Sequence, residues 1–269
     1  LAVVKPGSLV LVRNPSWNPG TDRLRAAYAD RIEITVGGGS DDEIAHRVDE
    51  GELDLVYVAG SPFEQVARYE EDSKLAQRVY RSVDNVVYAL TMNLALPPFD
   101  DVHVRQAVGR AIDESALASL LSEPPHGPYG SNSAEVATHL SPDGLLGRLI
   151  RDFDPYPFDP TAARAEMADS AYDRNDDGRC DVAACRGVTA VVLDQGVIPE
   201  QARAIRGALA DLGIELTLEV HPDGRFYSRF TDPRNQVPIA IAYAWFADFP
   251  EGGGWFPPLF GTSPLDGTN

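Results

Sequence analysis

Segments of strand period and helix period alternate along this chain, and that alternation limits the fold more than any single residue does. VTAVVL (188–193) reads as a strand, and PEQARAIRGALADLG (199–213) as a helix closed by Gly213. IELTLEV (214–220) follows as a strand with Ile214, Leu216, Leu218 and Val220 on one face. PIAIAYAW (238–245) is wholly apolar, the pattern of a central strand covered on both sides. Near the start, SLVLVRN (8–14) and RIEITVG (31–37) are strands, the second alternating Ile32, Ile34 and Val36 with Glu33 and Thr35. SDDEIAHRVDEG (40–51) is a helix with Ser and Asp in its N-cap region and Gly51 as its stop, and ELDLVYV (52–58) is a further strand. Strand, helix, strand in that order predicts a right-handed crossover over a sheet, so the fold class expected is α/β.

The middle of the chain connects these parts. NVVYALTMNLALPPF (85–99) is long, apolar and extended, as a connection between two lobes would be. FDDVHVRQAVGRAIDESALASLL (99–121) is the clearest helix, capped by Asp100 or Asp101, with Val104, Val108, Ala111 and Ile112 on one face. Residues 123–158 are rich in Pro, Gly and Ser and predict a long irregular stretch. A new helix begins in FDPTAARAEMADSAY (158–172), with Asp159 as N-cap and Pro160 as its first residue.

With 269 residues the chain has room for one large domain or two modest lobes. A formal net charge of −18 argues against nucleic acid and against an anionic membrane face, since both demand a positive surface. No apolar run approaches the roughly 18–20 residues that a membrane-spanning helix needs. LAVVKPGSLVLVRNP enters a strand at once and SPLDGTN closes without a helix or strand, so the chain reads as part of a longer protein. Cys180 and Cys185 lie five positions apart in a polar loop, which leaves open a small stapling disulfide or two free thiols.

Catalytic signatures are sparse. Ser228, His221 and Asp223 lie close in sequence without a nucleophile elbow, and His46, His103, His126, His139 and His221 show no metal-ligand spacing. VGGGSDD (36–42) lacks the glycine spacing and the lysine of a phosphate loop. No enzyme activity and no cofactor are expected. DRNDDGRCD (173–181) places Asp173, Asn175, Asp177 and Asp181 at calcium-loop positions, but the twelfth position is Ala184 instead of a bidentate Glu. It is a weak calcium candidate beside the plainer reading of a polar hairpin tip.

YAWFADFPEGGGWF (243–256) sets Asp248 among aromatics just past the apolar strand. Ligands of open α/β sheets gather outside the carboxyl ends of the strands, where such a residue would stand. A carboxylate half-covered by Trp245, Phe246, Phe249 and Trp255 loses hydration and calls for a cation or several donors. The alternative is a turn aspartate that bonds its own backbone before Pro250.

The order of LVLVRNPSW, VDEGELDLV, MNLALPPFDDVHVRQAVGRAIDESAL, FDPTAARAEMADSAY, IRGALADLGIELTLEV and AYAWFADFPEGGGWFPPLF resembles the family 5 extracellular solute-binding proteins, the dipeptide- and oligopeptide-binding components of ABC importers. The resemblance implies a two-lobe, class II periplasmic-binding-protein-like fold, of which this chain carries part of lobe I (1–85) and most of lobe II (86–269), with the hinge crossed near 83–93. It implies that the acid at Asp248 takes a peptide's α-ammonium and that Trp245, with Phe246 and Asn93, contacts the ligand. It further implies a small peptide or other small solute as ligand, an ABC permease as partner, no nucleic acid, and an extracytoplasmic, secreted or lipid-anchored location. Members of the family also take oligosaccharides, nickel complexes or opines. EGGGWF departs from the usual acidic-proline turn. A ligand-sensing module of a larger regulator stands as the second reading.

Overall fold

The computed structural model describes residues 3–22, 24–37, 39–56, 63–79, 86–122, 136–138, 140, 153–246 and 251–257. The chain divides into two compact units, Leu1–Ala76 and Gln77–Asn269.

In the first unit, β1 (Val3–Lys5), β2 (Ser8–Val12) and β3 (Arg31–Thr35) form an antiparallel sheet in that order. Val10 on β2 is buried, whereas every residue of β3 is exposed. Helix α1 (Asp41–Asp49) starts with a full capping box: the Ser40 hydroxyl accepts from Glu43 N–H, and the Glu43 carboxylate accepts from Ser40 N–H. Asp49 at its end holds α2 (Phe63–Glu71), accepting from Tyr69 Oη at 2.5 Å and from Arg68. The expected crossover is not found among the described residues. β3 pairs antiparallel with β2, and after α1 the amides of Glu52 and Leu53 both bond Arg47 C=O, wrapping the helix end where ELDLVYV was to begin a strand. Residues 57 and 58 of that stretch lie outside the described residues.

The second unit is built on a four-stranded sheet. β4 (Val86–Met92), β5 (Val188–Leu193), β6 (Leu216–His221) and β7 (Ile239–Phe246) stand in the order β4-β7-β5-β6. β5 runs parallel to both β6 and β7, and β4 runs antiparallel to β7. β7 is interior and its first four residues are buried, as its apolar composition predicts. Residues 85–99 do not stay extended: the strand ends at Met92 and turns follow to Asp100.

The long helix expected over 99–121 is two helices, α3 (Val102–Ala111) and α4 (Glu114–Ser122). Ile112 is extended at φ −92°, ψ 119°, and Asp113 begins a new helix by accepting from Ala116 N–H at 2.9 Å. Asp101, not Asp100, caps α3 through His103 N–H; Val104, Val108 and Ala111 are buried, and Ala107 completes the face. Asp159 caps α5 (Pro160–Ala168) with two amide bonds of 2.9 Å, from Thr161 and Ala162, as the Asp-Pro pair foretells. Helix α6 (Ile198–Asp211) links β5 to β6, and α7 (Asp223–Thr231) links β6 to β7. Most of 123–152 lies outside the described residues, as do His126 and His139.

Phe99, Val104, Met167, Val191, Leu209, Ile214, Phe226 and Ile239 form the centre of one core that joins the sheet to α3, α5, α6 and α7. Cys180 and Cys185 form a disulfide, which settles the two sequence alternatives. The bridged loop is tied to the end of α6: Arg179 donates to Ala210 C=O and Asp211 C=O, and Cys180 N–H donates to Leu212 C=O at 2.7 Å. Gly213 turns the chain there at φ 79°, and a Cβ on it would lie 2.4 Å from Cys180 O, so glycine is required.

Candidate functional site

Strand order and direction decide where this sheet can hold a ligand. The chain moves from β5 to β6 on one side and then crosses back over β5 to β7 on the other. The right-handed crossover rule then puts α6 and α7 on opposite faces, and the crevice opens between the carboxyl ends of β5 and β7. Leu193 ends β5 beside His221, and Asp194 N–H donates to His221 C=O at 2.7 Å. Asp194, Gln195 and Gly196 then leave the sheet exposed.

β7 extends further than β5. Its pairing with β5 covers Ile239, Ala240 and Ile241, while its pairing with β4 continues to Phe246 opposite Val86. Residues 243–246 therefore have one edge that no described strand pairs. Aromatic rings gather on this end. Tyr243 lies 5.4 Å from Phe230 and 6.5 Å from Tyr227 of α7, and 6.3 Å from Trp245, all between ring centroids. Burial, with Tyr227 adding to it, raises the Tyr243 hydroxyl above the usual phenol value.

Trp245 is half-buried, and its indole N–H donates to Gly254 C=O at 3.2 Å, which pins the 251–257 turn to the strand. Trp255 in that turn is fully buried, and its Nε1 has no acceptor among the described residues. Phe246 is 61% exposed, on the face shared with Tyr88 of β4, itself 58% exposed. Asp248 falls in 247–250, outside the described residues, two positions past Phe246.

The structure does not bring Asn93 to this group. Because β4 is antiparallel to β7, Asn93 stands at the opposite end of the sheet, where its N–H donates to Pro238 C=O at 2.8 Å. Its carboxamide oxygen accepts from Ala95 N–H at 3.0 Å in a turn. The seven residues of β4 separate it from the Phe246 end. At strand rise that is about 20 Å. A resemblance tied to the motif MNLALPPF could not reveal this, since only strand direction does.

Among the described residues no group of three or more His, Cys, Asp or Glu side chains is arranged to hold a metal ion. In the loop raised as a calcium candidate, Asp173 is 5% exposed. One of its carboxylate oxygens accepts from Asn175 N–H and Asp177 N–H, the other from Gly178 N–H and Arg179 N–H. The Asn175 amide group donates to Asp177, and Asp181 N–H donates to Tyr172 C=O. The side chains of Asp173, Asn175 and Asp177 organise the turn from within. Sequence reading missed Tyr243, Tyr227 and Phe230 as neighbours of the site; the aromatics of FYSRF and YAW were the available signal.

Comparison with known proteins agrees with this fold. The model of the bacterial extracellular solute-binding proteins, family 5 Middle, matches residues 1–266. A glutathione-binding protein GsiB from Pectobacterium atrosepticum is 29% identical over 126 residues, covering 45% of this chain and 21% of that protein. The Shigella flexneri GsiB is 25% identical over 111 residues, covering 41% of this chain and 20% of that protein. Among solved structures, clavulanic acid biosynthesis oligopeptide binding protein 2 superposes with a TM-score of 0.74 at 28% identity, over 96% of this chain and 45% of that one. The Helicobacter pylori periplasmic binding protein DppA, in complex with the peptide STSA, gives a TM-score of 0.63 at 19% identity, over 95% and 44%. The chain thus spans a little under half the length of these solved proteins, with their α/β periplasmic-binding-protein fold. This is a fold and a family of binding proteins, not enzymes, and the chain belongs to the bacterial extracellular solute-binding proteins of family 5.

Proposed function

We propose that this chain is part of the substrate-binding component of an ABC importer and that its solute is a small peptide. The observation that carries the reading is the end of β7 beyond its pairing with β5. Residues 243–246 offer main-chain donors and acceptors along an edge that no described strand pairs, beside an aromatic wall made of Tyr243 and Trp245. An extended peptide can add to such an edge as a further strand, taking affinity from groups that every peptide shares. Asp248, two residues past Phe246 in sequence, is the anchor for the ligand's α-ammonium, and Trp245 lines the pocket, while Phe246 stands on the other face of the strand. Aromatics flank Asp248 in sequence, and a carboxylate that such rings cover calls for a cationic partner to offset its desolvation.

The relatives support this chemistry. GsiB is a glutathione-binding protein, and solved neighbours are described in complex with the peptide STSA and with Met-Leu. Peptides of this kind share a free α-ammonium. The lobes follow the family plan: part of lobe I in 1–85, lobe II in 86–269 and a hinge near 83–93. The compact-unit boundary between Ala76 and Gln77 supports a division in this region. The protein works outside the cytoplasm, secreted or lipid-anchored, and delivers its cargo to a permease. Closure of two lobes on the ligand is a shift between open and closed states, with no chemical step.

Native mass spectrometry of the natural full-length protein tests the reading. The parent is expected to retain a co-purified peptide that Asp248→Ala loses. Equal retention by both would remove Asp248 from the site, and a co-purified sugar or metal chelate would replace the peptide.

A further inference from the structure

The alternation I-A-I-A-Y-A-W along β7 would put Ile239, Ile241, Tyr243 and Trp245 on one face of a regular strand. The pairing with β4 shows otherwise. Ala89 lies opposite Tyr243, yet the next residue, Leu90, lies opposite Ile241, so Ala242 is an extra residue in β7. Directly opposed residues share a face, and consecutive residues of β4 alternate. Tyr243 and Trp245 therefore lie on the face opposite to Ile239 and Ile241. Ala242 is buried and held at φ 70°, in the left-handed region that a non-glycine residue seldom enters. Such bulges re-aim the side chains that follow them.

We propose that Ala242 is a positioning residue for the ligand wall: its bulge turns Tyr243 and Trp245 toward α7 and leaves Phe246 on the opposite face. Without the extra residue the α7 side of the strand end would carry Ala242, Ala244 and Phe246, and the tyrosine and tryptophan would join the isoleucine face. The tilted ring contacts of Tyr243 with Phe230 and Trp245 exist only in the bulged phase. The binding role rests on the peptide reading given above; the orientation does not, and can be measured without a ligand.

The test uses the natural full-length protein labelled with 5-fluorotryptophan, with the Trp245 resonance assigned through Trp245→Phe. Trialanine and glutathione serve as calorimetric probes. Ala242→Gly keeps the left-handed conformation without its steric cost, so it should raise the melting midpoint, leave the Trp245 resonance in place and hold affinity within about threefold. Ala242→Val disfavours that conformation, so it should shift the resonance and weaken binding at least about tenfold. An unmoved resonance in Ala242→Val, or a moved one with full affinity, overturns the proposal, and so does a lower midpoint in Ala242→Gly. If Ala242→Val does not fold, the midpoint and resonance of Ala242→Gly decide. Failure of both probes to bind the parent, or unchanged affinity in Trp245→Ala, refutes the peptide reading and with it the binding role of Ala242, whatever the resonance shows.

Discussion

Replacing Asp173 tests whether the 173–181 loop is held by its own carboxylate. One carboxylate oxygen accepts from Gly178 N–H at 2.7 Å and Arg179 N–H at 3.1 Å, the other from Asn175 N–H at 3.2 Å and Asp177 N–H at 3.4 Å. Hydrogen bonds to a charged group contribute about 1.5–3 kcal/mol each, and the two shorter ones dominate, so Asp173→Ala should cost about 3 kcal/mol. Asp173→Asn keeps one acceptor oxygen for the Gly178 and Arg179 amides but turns an NH2 toward the other two donors. It should cost about half as much, near 1.5 kcal/mol. For a domain of this size each kcal/mol moves Tm by about 2–4 °C, giving roughly 6–12 °C for the alanine and 3–6 °C for the asparagine variant. Thermal melts followed by circular dichroism, with urea titrations beside them, read these shifts. Because the carboxylate is already engaged, added calcium should leave the parent's midpoint unchanged. Equal costs for the two variants, a cost under about 0.5 kcal/mol for alanine, or a calcium-dependent midpoint would refute the reasoning.

The disulfide and one surface pair give further tests. Cys180 and Cys185 enclose a short loop with a sequence separation of 5, for which chain entropy gives about 2 kcal/mol, so the double alanine variant should lose about that much in urea titration. The His103 ring stands 3.0 Å from Glu166, whose hydrogen bond, with Asp101 and Asp169 nearby, raises the pKa of His103 above its ordinary value. The stabilisation is then fully present below the unfolded imidazole's pKa and is lost as pH rises through the higher folded value. Stability measured from pH 5 to 9 should show that loss, and Glu166→Gln should flatten it.

Much of this fold is written in local chemistry. Ser40 with Glu43, Asp159 with Pro160, and Gly213 mark helix ends from sequence because each satisfies or frees the backbone within a few residues. The features that escape reading depend on distant partners. Asp113 restarts a helix inside a continuous helical pattern, and β3 takes β2 as its neighbour where a crossover partner was expected. At the site, the apolar run of β7 is legible as an interior strand, while its phase is not. Ala242 flips the aromatics to the other face, and nothing in I-A-I-A-Y-A-W distinguishes a bulged alanine from a regular one. Asn93 shows the same limit, since only strand direction places it at the opposite end of the sheet from Trp245.

The central claim is that a carboxylate at position 248 receives the positive end of the solute. Isothermal titration of the natural full-length protein with a tight-binding peptide and its N-acetylated form measures this directly. A desolvated charge contact of this kind contributes about 2–5 kcal/mol, so acetylation should weaken binding by roughly thirtyfold or more in the parent and by little in Asp248→Ala. Equal affinity of the parent for the free and acetylated peptides, or the same loss in both proteins, would contradict it.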